Sequence, residues 1–202
     1  MQVAIIGSGR VGGALAQALG RAGHEVRFGS RKPDPGKAGE AGIADAVAAA
    51  DATILAIPFD AVDEAIAAAG GLAGKVLIDA TNPLGMRDGG LGLTLGFDTS
   101  GAERIAAAAP HAHVFKAFNQ TGFENMADAS AYASRPVMFV AGDHEAAKPM
   151  VLSLVADAGF EAVDAGKLRA ARLLEPLALL WIELARKRGG GANFTFTLQR
   201  KA

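Results

Sequence analysis

The sequence predicts an α/β fold, a doubly wound, mostly parallel sheet with a small C-terminal helical and strand extension. Three observations carry that prediction. Short apolar runs alternate with segments of helical period through residues 1–165, the pattern of successive βαβ units. The first run, "QVAII", enters a glycine turn, "GSGRVGG", from which a helix departs. Beyond residue 165 the alternation stops, so residues 166–202 read as an extension and not as an independent domain.

Gln2 to Ile6 is a continuous apolar strand of the kind buried on both faces. Arg10 to Ala22 follows as a helix with Val11, Leu15 and Leu19 beside Ala14, Ala18 and Ala22 in stripes of period four, closed by Gly23. "HEVRF" is the second strand, with Val26 and Phe28 inward, and "PDPGKAGEAG" reads as a loop holding at most a short helix. "IADAVAAAD" is a helix, "ATILAIP" a strand, "DAVDEAIAAAG" a helix and "KVLIDATNP" a strand. Gly85 to Thr99 has many glycines and no period, which predicts a loop, followed by a helix from Ser100 to Ala109. "HVFKAFN" and "PVMFVAG" are strands, Asp143 to Ala158 a helix capped by Asp143, and "GFEAVDAG" a last short strand. Lys167 to Arg188 reads as a helix broken or kinked at Pro176. A "GGG" hinge then leads to a strand-like tail, "NFTFTLQR", whose Phe194 and Phe196 share a face and need cover, for which a second subunit is the candidate.

Composition narrows the function classes. The chain has 202 residues, 50% of them hydrophobic, with 20 basic against 21 acidic side chains. That size suits one α/β domain, and the near-neutral balance argues against a nucleic-acid or anionic-membrane partner. There is no cysteine, which excludes disulfides, thiolate catalysis and Cys-ligated metals. The opening segment reaches its glycine turn too soon for a signal-peptide core. The longest apolar stretch, "PLALLWIELA", contains Glu183 and falls short of the roughly 18 residues a membrane span needs. A cytoplasmic protein is expected.

Gly7, Gly9 and Gly12, with Ser8, Arg10 and Val11 between them, form G-x-G-x-x-G after a strand and at the start of a helix. This is the Rossmann-like arrangement: a tight turn, room for a pyrophosphate, and close packing of helix on strand, with free N–H groups at the helix start. The second strand then predicts which dinucleotide. Its end commonly carries a carboxylate that holds the ribose hydroxyls of NAD and repels the 2'-phosphate of NADP. Here the slot holds Gly29, followed by Ser30, Arg31 and Lys32, so the expected cofactor is NADP(H), with charge-assisted contacts of roughly 1.5 to 3 kcal/mol each. Other strand ends should complete the crevice. Ile57, Pro58 and Phe59 would flank the nucleotide, Thr81, Asn82 and Pro83 the ribose or nicotinamide, and Ala117, Phe118 and Asn119 the ring.

No residue offers itself as the acid or base that an alcohol dehydrogenase requires. Tyr132 is followed four residues on by Pro136, not by lysine, and Lys116 lies on a strand from which it points into or away from the crevice with equal ease. His24, His111, His113 and His144 read as surface residues, and no cluster has the spacing of metal ligands. The catalytic residue is therefore left unassigned and no metal is expected. A hydride acceptor with its own ring electronics, a flavin or deazaflavin, fits this inventory better than an alcohol.

The segments "VAIIGSGRVGGALAQALGRAGHEVRFGSRK", "KAFNQTGFENM" and "DAGKLRAARLLEPLALLW" together resemble the F420-dependent NADP oxidoreductase family, and also the NADPH-binding domain of the STEAP metalloreductases. The resemblance implies a 2'-phosphate site on Gly29, Ser30 and Arg31, a homodimer, and an acceptor lying against the nicotinamide and residues 166–202. It implies F420 as acceptor. The glycine turn departs from the family's G-G-T-G-x-x-G, with Ser8 and Arg10 in place of its residues, and FMN, FAD, a quinone or a small imine remain open. Two other readings stay open: a non-catalytic NADP(H)-binding redox sensor, and a reductase of a small imine or ketone.

Overall fold

A computed structural model describes residues 1–34, 36 and 39–201. Ten strands and seven α-helices are described: β1 (Gln2–Ile6), α1 (Arg10–Arg21), β2 (Glu25–Ser30), β3 (Glu40–Gly42), α2 (Ile43–Ala49), β4 (Ala52–Leu55), α3 (Val62–Ala69), β5 (Val76–Asp79), β6 (Leu84–Arg87), β7 (Gly90–Leu93), α4 (Gly101–Ala108), β8 (His113–Lys116), α5 (Phe123–Ala127), β9 (Val137–Gly142), α6 (Lys148–Asp157), β10 (Glu161–Asp164) and α7 (Ala171–Ile182). Eight strands form one sheet in the order β10-β9-β8-β5-β4-β1-β2-β3. The pairs from β3 across to β8 are parallel, β8 and β9 are antiparallel, and β9 and β10 are parallel to each other. This is the doubly wound α/β sheet expected, with the order reversing beside β1, where such folds hold ligands.

The apolar runs are continuous because both faces of the sheet are covered. Ile5, Ile54 and Ile78 pack with Leu15, Leu19 and Phe115 on one side. Their neighbours Ile6, Leu55 and Leu77 pack with Val47, Val62 and Ile105 on the other. Successive residues point to opposite faces, so a strand buried on both must be apolar at every position.

Several sequence expectations are corrected. The connection after β2, expected as loop, contains β3, which pairs in parallel with β2 at Phe28↔Glu40, Gly29↔Ala41 and Ser30↔Gly42; Pro35, Lys37 and Ala38 of that connection lie outside the described residues. Gly85 to Thr99 is not simply loop: β6 and β7 form an antiparallel hairpin in which Leu84 faces Leu93, a pairing that glycine-rich strands conceal from pattern reading. Asp143 does not cap α6, which begins after Ala147 without a side-chain cap; its carboxylate instead accepts from Leu168 N at 3.2 Å. Helix α7 runs through Pro176 without a break and continues as a π-helical turn, Glu183–Lys187. The tail from 193 to 200 forms no strand, yet Phe194 and Phe196 are half-buried and held by their own chain. Phe194 stacks on Trp181 with ring centroids 5.4 Å apart, Trp181 Nε1 donates to Phe194 O at 3.0 Å, and Val137 N donates to Phe196 O at 2.9 Å. Among the described residues no helix is long and apolar enough to cross a membrane.

Candidate functional site

The glycine turn is shaped by contact as the motif requires. Gly7 has φ +110°, and a Cβ there would stand 2.4 Å from Ala56 O. A Cβ on Gly12 would lie 1.9 Å from Gly7 O, so α1 reaches β1 this closely only through glycine. Gly9 is different: a Cβ there meets nothing within 4 Å, so the backbone opens outward. Gly9 is also the N-cap of α1 and supplies no side-chain cap, and the first turn holds no acidic residue. Free N–H groups at the positive end of a helix beside open space are a cradle for an anionic group. These residues fit a dinucleotide pyrophosphate.

Beside that turn a cavity of about 260 Å³ brings together Gly7, Ser8, Gly29, Ser30, Arg31, Ile57 and Pro58 with Phe28, Ile43, Ala61, Glu64 and Ala65. Lys32 joins Ser30, Arg31 and Glu64 around an outer opening of about 440 Å³. Glu64 is the residue of this corner that sequence reading missed, although its place in the first turn of a helix leaving a strand's carboxyl end was a signal. A Cβ on Gly29 would stand in ordinary van der Waals contact with Ile43 Cα at 3.4 Å and Ala46 Cβ at 3.5 Å, so packing does not demand glycine there.

Other expected residues lie elsewhere. Val11 packs against the core. Arg10 is exposed, its guanidinium carbon 5.0 Å from the centre of the Phe123 ring, a cation–π contact that ties the glycine turn to α5. Phe59 turns away from the cavity, with Arg104 5.9 Å above its ring. Ala117 and Phe118 are fully buried. The Phe118 ring lies in the core, edge-on to Phe160 at 6.5 Å, and with no exposed surface on either residue neither opens onto the crevice. Phe118 has φ +62°, a conformation that costs a bulky residue about 1–3 kcal/mol, held here by its buried ring.

That turn delivers Asn119 to Asn82. Asn119 Nδ2 donates to Asn82 Oδ1 and to Leu174 O, and Asn82 Nδ2 donates to Asn119 O, all at 3.0 Å. Gln120 Nε2 donates to Asn119 Oδ1 at 2.9 Å. Both asparagines, expected at the nicotinamide end, are thus locked to each other and to α7. Thr81 is buried and donates through N and Oγ1 to Asp79 Oδ1 at 2.8 and 2.7 Å. Pro83 is buried, and its carbonyl accepts from Thr94 N at 2.8 Å.

Beneath them lies a charged cluster that the sequence did not announce. Lys116, 0% exposed, donates to Asp79 Oδ2 at 2.8 Å, Thr81 O at 2.7 Å and Glu175 Oε1 at 2.8 Å. All three ammonium protons are used. Glu175 also accepts from Gly101 N at 3.0 Å and Ala102 N at 3.2 Å, so the start of α4 adds a partial positive charge to a cluster of two carboxylates and one ammonium. Lys116 therefore points neither into the crevice nor to solvent. Nearby, hydrogen bonds from Arg172 hold the Glu103 carboxyl below its ordinary range.

The histidines divide. His24, expected at the surface, has a side chain only 7% exposed and meets Asp157 at 3.1 Å. His113 and His144 stack with centroids 3.4 Å apart, and burial, then the charge of His144, pushes the His113 pKa down. Among the described residues no group of His, Asp or Glu could hold a metal ion.

Residues 2–83 match the model of the family described as NADP oxidoreductase, coenzyme F420-dependent. The solved structure of a candidate F420-dependent NADP-reductase from Arthrobacter sp. FB24 is 33% identical over 99% of this chain and 100% of that one, with a TM-score of 0.88. The rat metalloreductase STEAP3 is 31% identical over 187 residues, 89% of this chain; the chain spans 37% of that relative's length. A reductive aminase from Aspergillus terreus, solved with NADPH and ethyl levulinate, is 23% identical over 93% of this chain and 62% of its own, with a TM-score of 0.65. That last likeness concerns the fold.

Proposed function

The chain belongs to the F420-dependent NADP oxidoreductase family, and from that premise we propose that it passes hydride between NADPH and a deazaflavin of the F420 kind, FMN or FAD being the alternative acceptors. The observation that carries the reading is the corner at the end of β2, where Ser30, Arg31 and Lys32 surround an opening continuous with the cavity beside Gly7. A hydroxyl and two cations there suit a 2'-phosphate.

In this reading Gly9 and the first turn of α1 hold the pyrophosphate, Ile57 and Pro58 flank the adenosine, and Asn82 and Asn119 face the nicotinamide end. The bound nicotinamide supplies the hydride chemistry. The protein's part is to fix the two rings against each other and exclude water. An open groove of about 830 Å³ lies between the β6–β7 hairpin and α7, lined by Leu91, Leu93, Phe97, Pro176, Leu179 and Leu180 among others. The hairpin that forms one wall of this groove follows directly on Asn82 and Pro83, and the size of the groove suits a tricyclic acceptor. Residues 166–202 would then supply one wall of the acceptor site. Leu173, Leu180 and Phe97 are exposed, and a second copy of the chain covering this side would give the cytoplasmic homodimer that the resemblance implies.

The test is anaerobic mixing of the protein with NADPH and F420, followed by loss of deazaflavin absorbance, with FMN in a parallel cuvette. Turnover of F420 supports the reading, and turnover of FMN alone moves the assignment to a flavin reductase. NADPH binding with neither turnover overturns hydride transfer to these acceptors and favours the sensor or a small imine or ketone substrate.

A further inference from the structure

The corner at the end of β2 contains a group opposed to the ligand proposed for it. Arg31 Nη1 donates to Glu64 Oε2 at 2.7 Å, with the two side chains 64% and 61% exposed. Arg31 belongs to the turn after β2 and Glu64 to α3, so the pair spans the mouth of the cavity that both line. With Ser30 and Lys32 they also form the outer opening. Resting on the NADP(H) reading of this corner, we propose that Glu64 is a nucleotide-selectivity residue, an internal counter-ion that occupies Arg31 where the 2'-phosphate would and lowers the preference for NADPH over NADH.

The argument is electrostatic. A phosphate monoester carries about 1.5 to 2 negative charges at neutral pH. Arg31 and Lys32 attract it and Glu64 repels it. A guanidinium has five donors in a fixed fork, and one of them, on Nη1, engages Glu64. The phosphate either takes that donor and breaks the pair, or binds another edge of the same guanidinium and leaves two anions close together. Both routes weaken NADPH binding. NADH places a neutral hydroxyl there and leaves the pair intact, so its affinity is insensitive to the Glu64 charge. Exposure limits the size of the effect, and an exposed pair corresponds to about a two- to fivefold change in binding.

The experiment is fluorescence titration of NADPH and NADH against the full-length wild type, Arg31→Ala, Glu64→Gln and Glu64→Lys. Glutamine keeps an acceptor for Arg31 and removes the charge. Glu64→Gln is expected to tighten NADPH about two- to fivefold with NADH within about twofold, Glu64→Lys to tighten it further, and both gains to shrink at about 0.5 M salt. Unchanged or weaker NADPH binding in Glu64→Gln overturns the inference, as does a selective loss of NADH, which would make Glu64 an acceptor for ribose hydroxyls. Arg31→Ala separates the two levels. Equal loss of NADPH and NADH there refutes the NADP(H) reading itself, whereas a selective NADPH loss beside a silent Glu64→Gln refutes the selectivity role alone.

Discussion

Lys116→Met removes the ammonium that joins Asp79, Thr81 and Glu175 while keeping most of the aliphatic volume. Lys116, Asp79 and Glu175 are all buried to within 1%, so the substitution leaves two carboxylates facing each other without the cation and strips Thr81 O of its donor. Breaking a buried ion pair by deleting one partner costs about 3–5 kcal/mol. For a chain of this length about 1 kcal/mol moves the melting midpoint by roughly 2–4 °C, so a fall of about 6–20 °C is expected. Urea unfolding at neutral pH, followed by circular dichroism, gives the free energy directly. Glu175→Gln should cost less, because the amide oxygen still accepts from Gly101 N or Ala102 N and one negative charge leaves a cluster already rich in them. A loss below about 1 kcal/mol for Lys116→Met would refute the reasoning, for it would mean that water reaches Asp79 and Glu175 and screens them.

Other predictions concern the turn, the cap, the tail and the histidine pair. Gly12→Ala drives a methyl to 1.9 Å from Gly7 O, so it should abolish dinucleotide binding and destabilise the fold, whereas Gly9→Ala, with nothing within 4 Å, should fold normally and lose affinity alone. Ser100 Oγ accepts from Glu103 N at 3.2 Å as the N-cap of α4, so Ser100→Ala should cost about 1 kcal/mol in the same urea titration. Trp181→Ala releases Phe194, and limited proteolysis should then cut near Gly189 to Gly191 faster than in the wild type. The half-buried His113 takes up its proton at lower pH in the folded chain than in the unfolded one. The unfolded state thus binds more protons below about pH 6.5, and stability falls as pH drops through that range. His113→Gln should make the decline between about pH 7 and 5 shallower, and an unchanged slope would remove His113 from the account.

The sequence alone determined the layered fold and the cofactor turn, because both are local. Continuous apolar runs such as Val3 to Ile6 report burial on two faces, and the spacing of Gly7, Gly9 and Gly12 reports a backbone that must turn and approach closely. Weakly patterned segments gave less: β3 is a strand because β2 offers it an edge, and β6 and β7 are strands because they pair with each other. The tertiary structure alone decided the charged partnerships. Lys116 is 59 residues from Glu175 and Arg31 is 33 from Glu64, and nothing in the neighbours of a lysine says which carboxylates will meet it. Charge acts through space, so its consequences are set by which strand ends and helix starts the fold brings together. The glycine turn acts through the chain itself, and could be read without it.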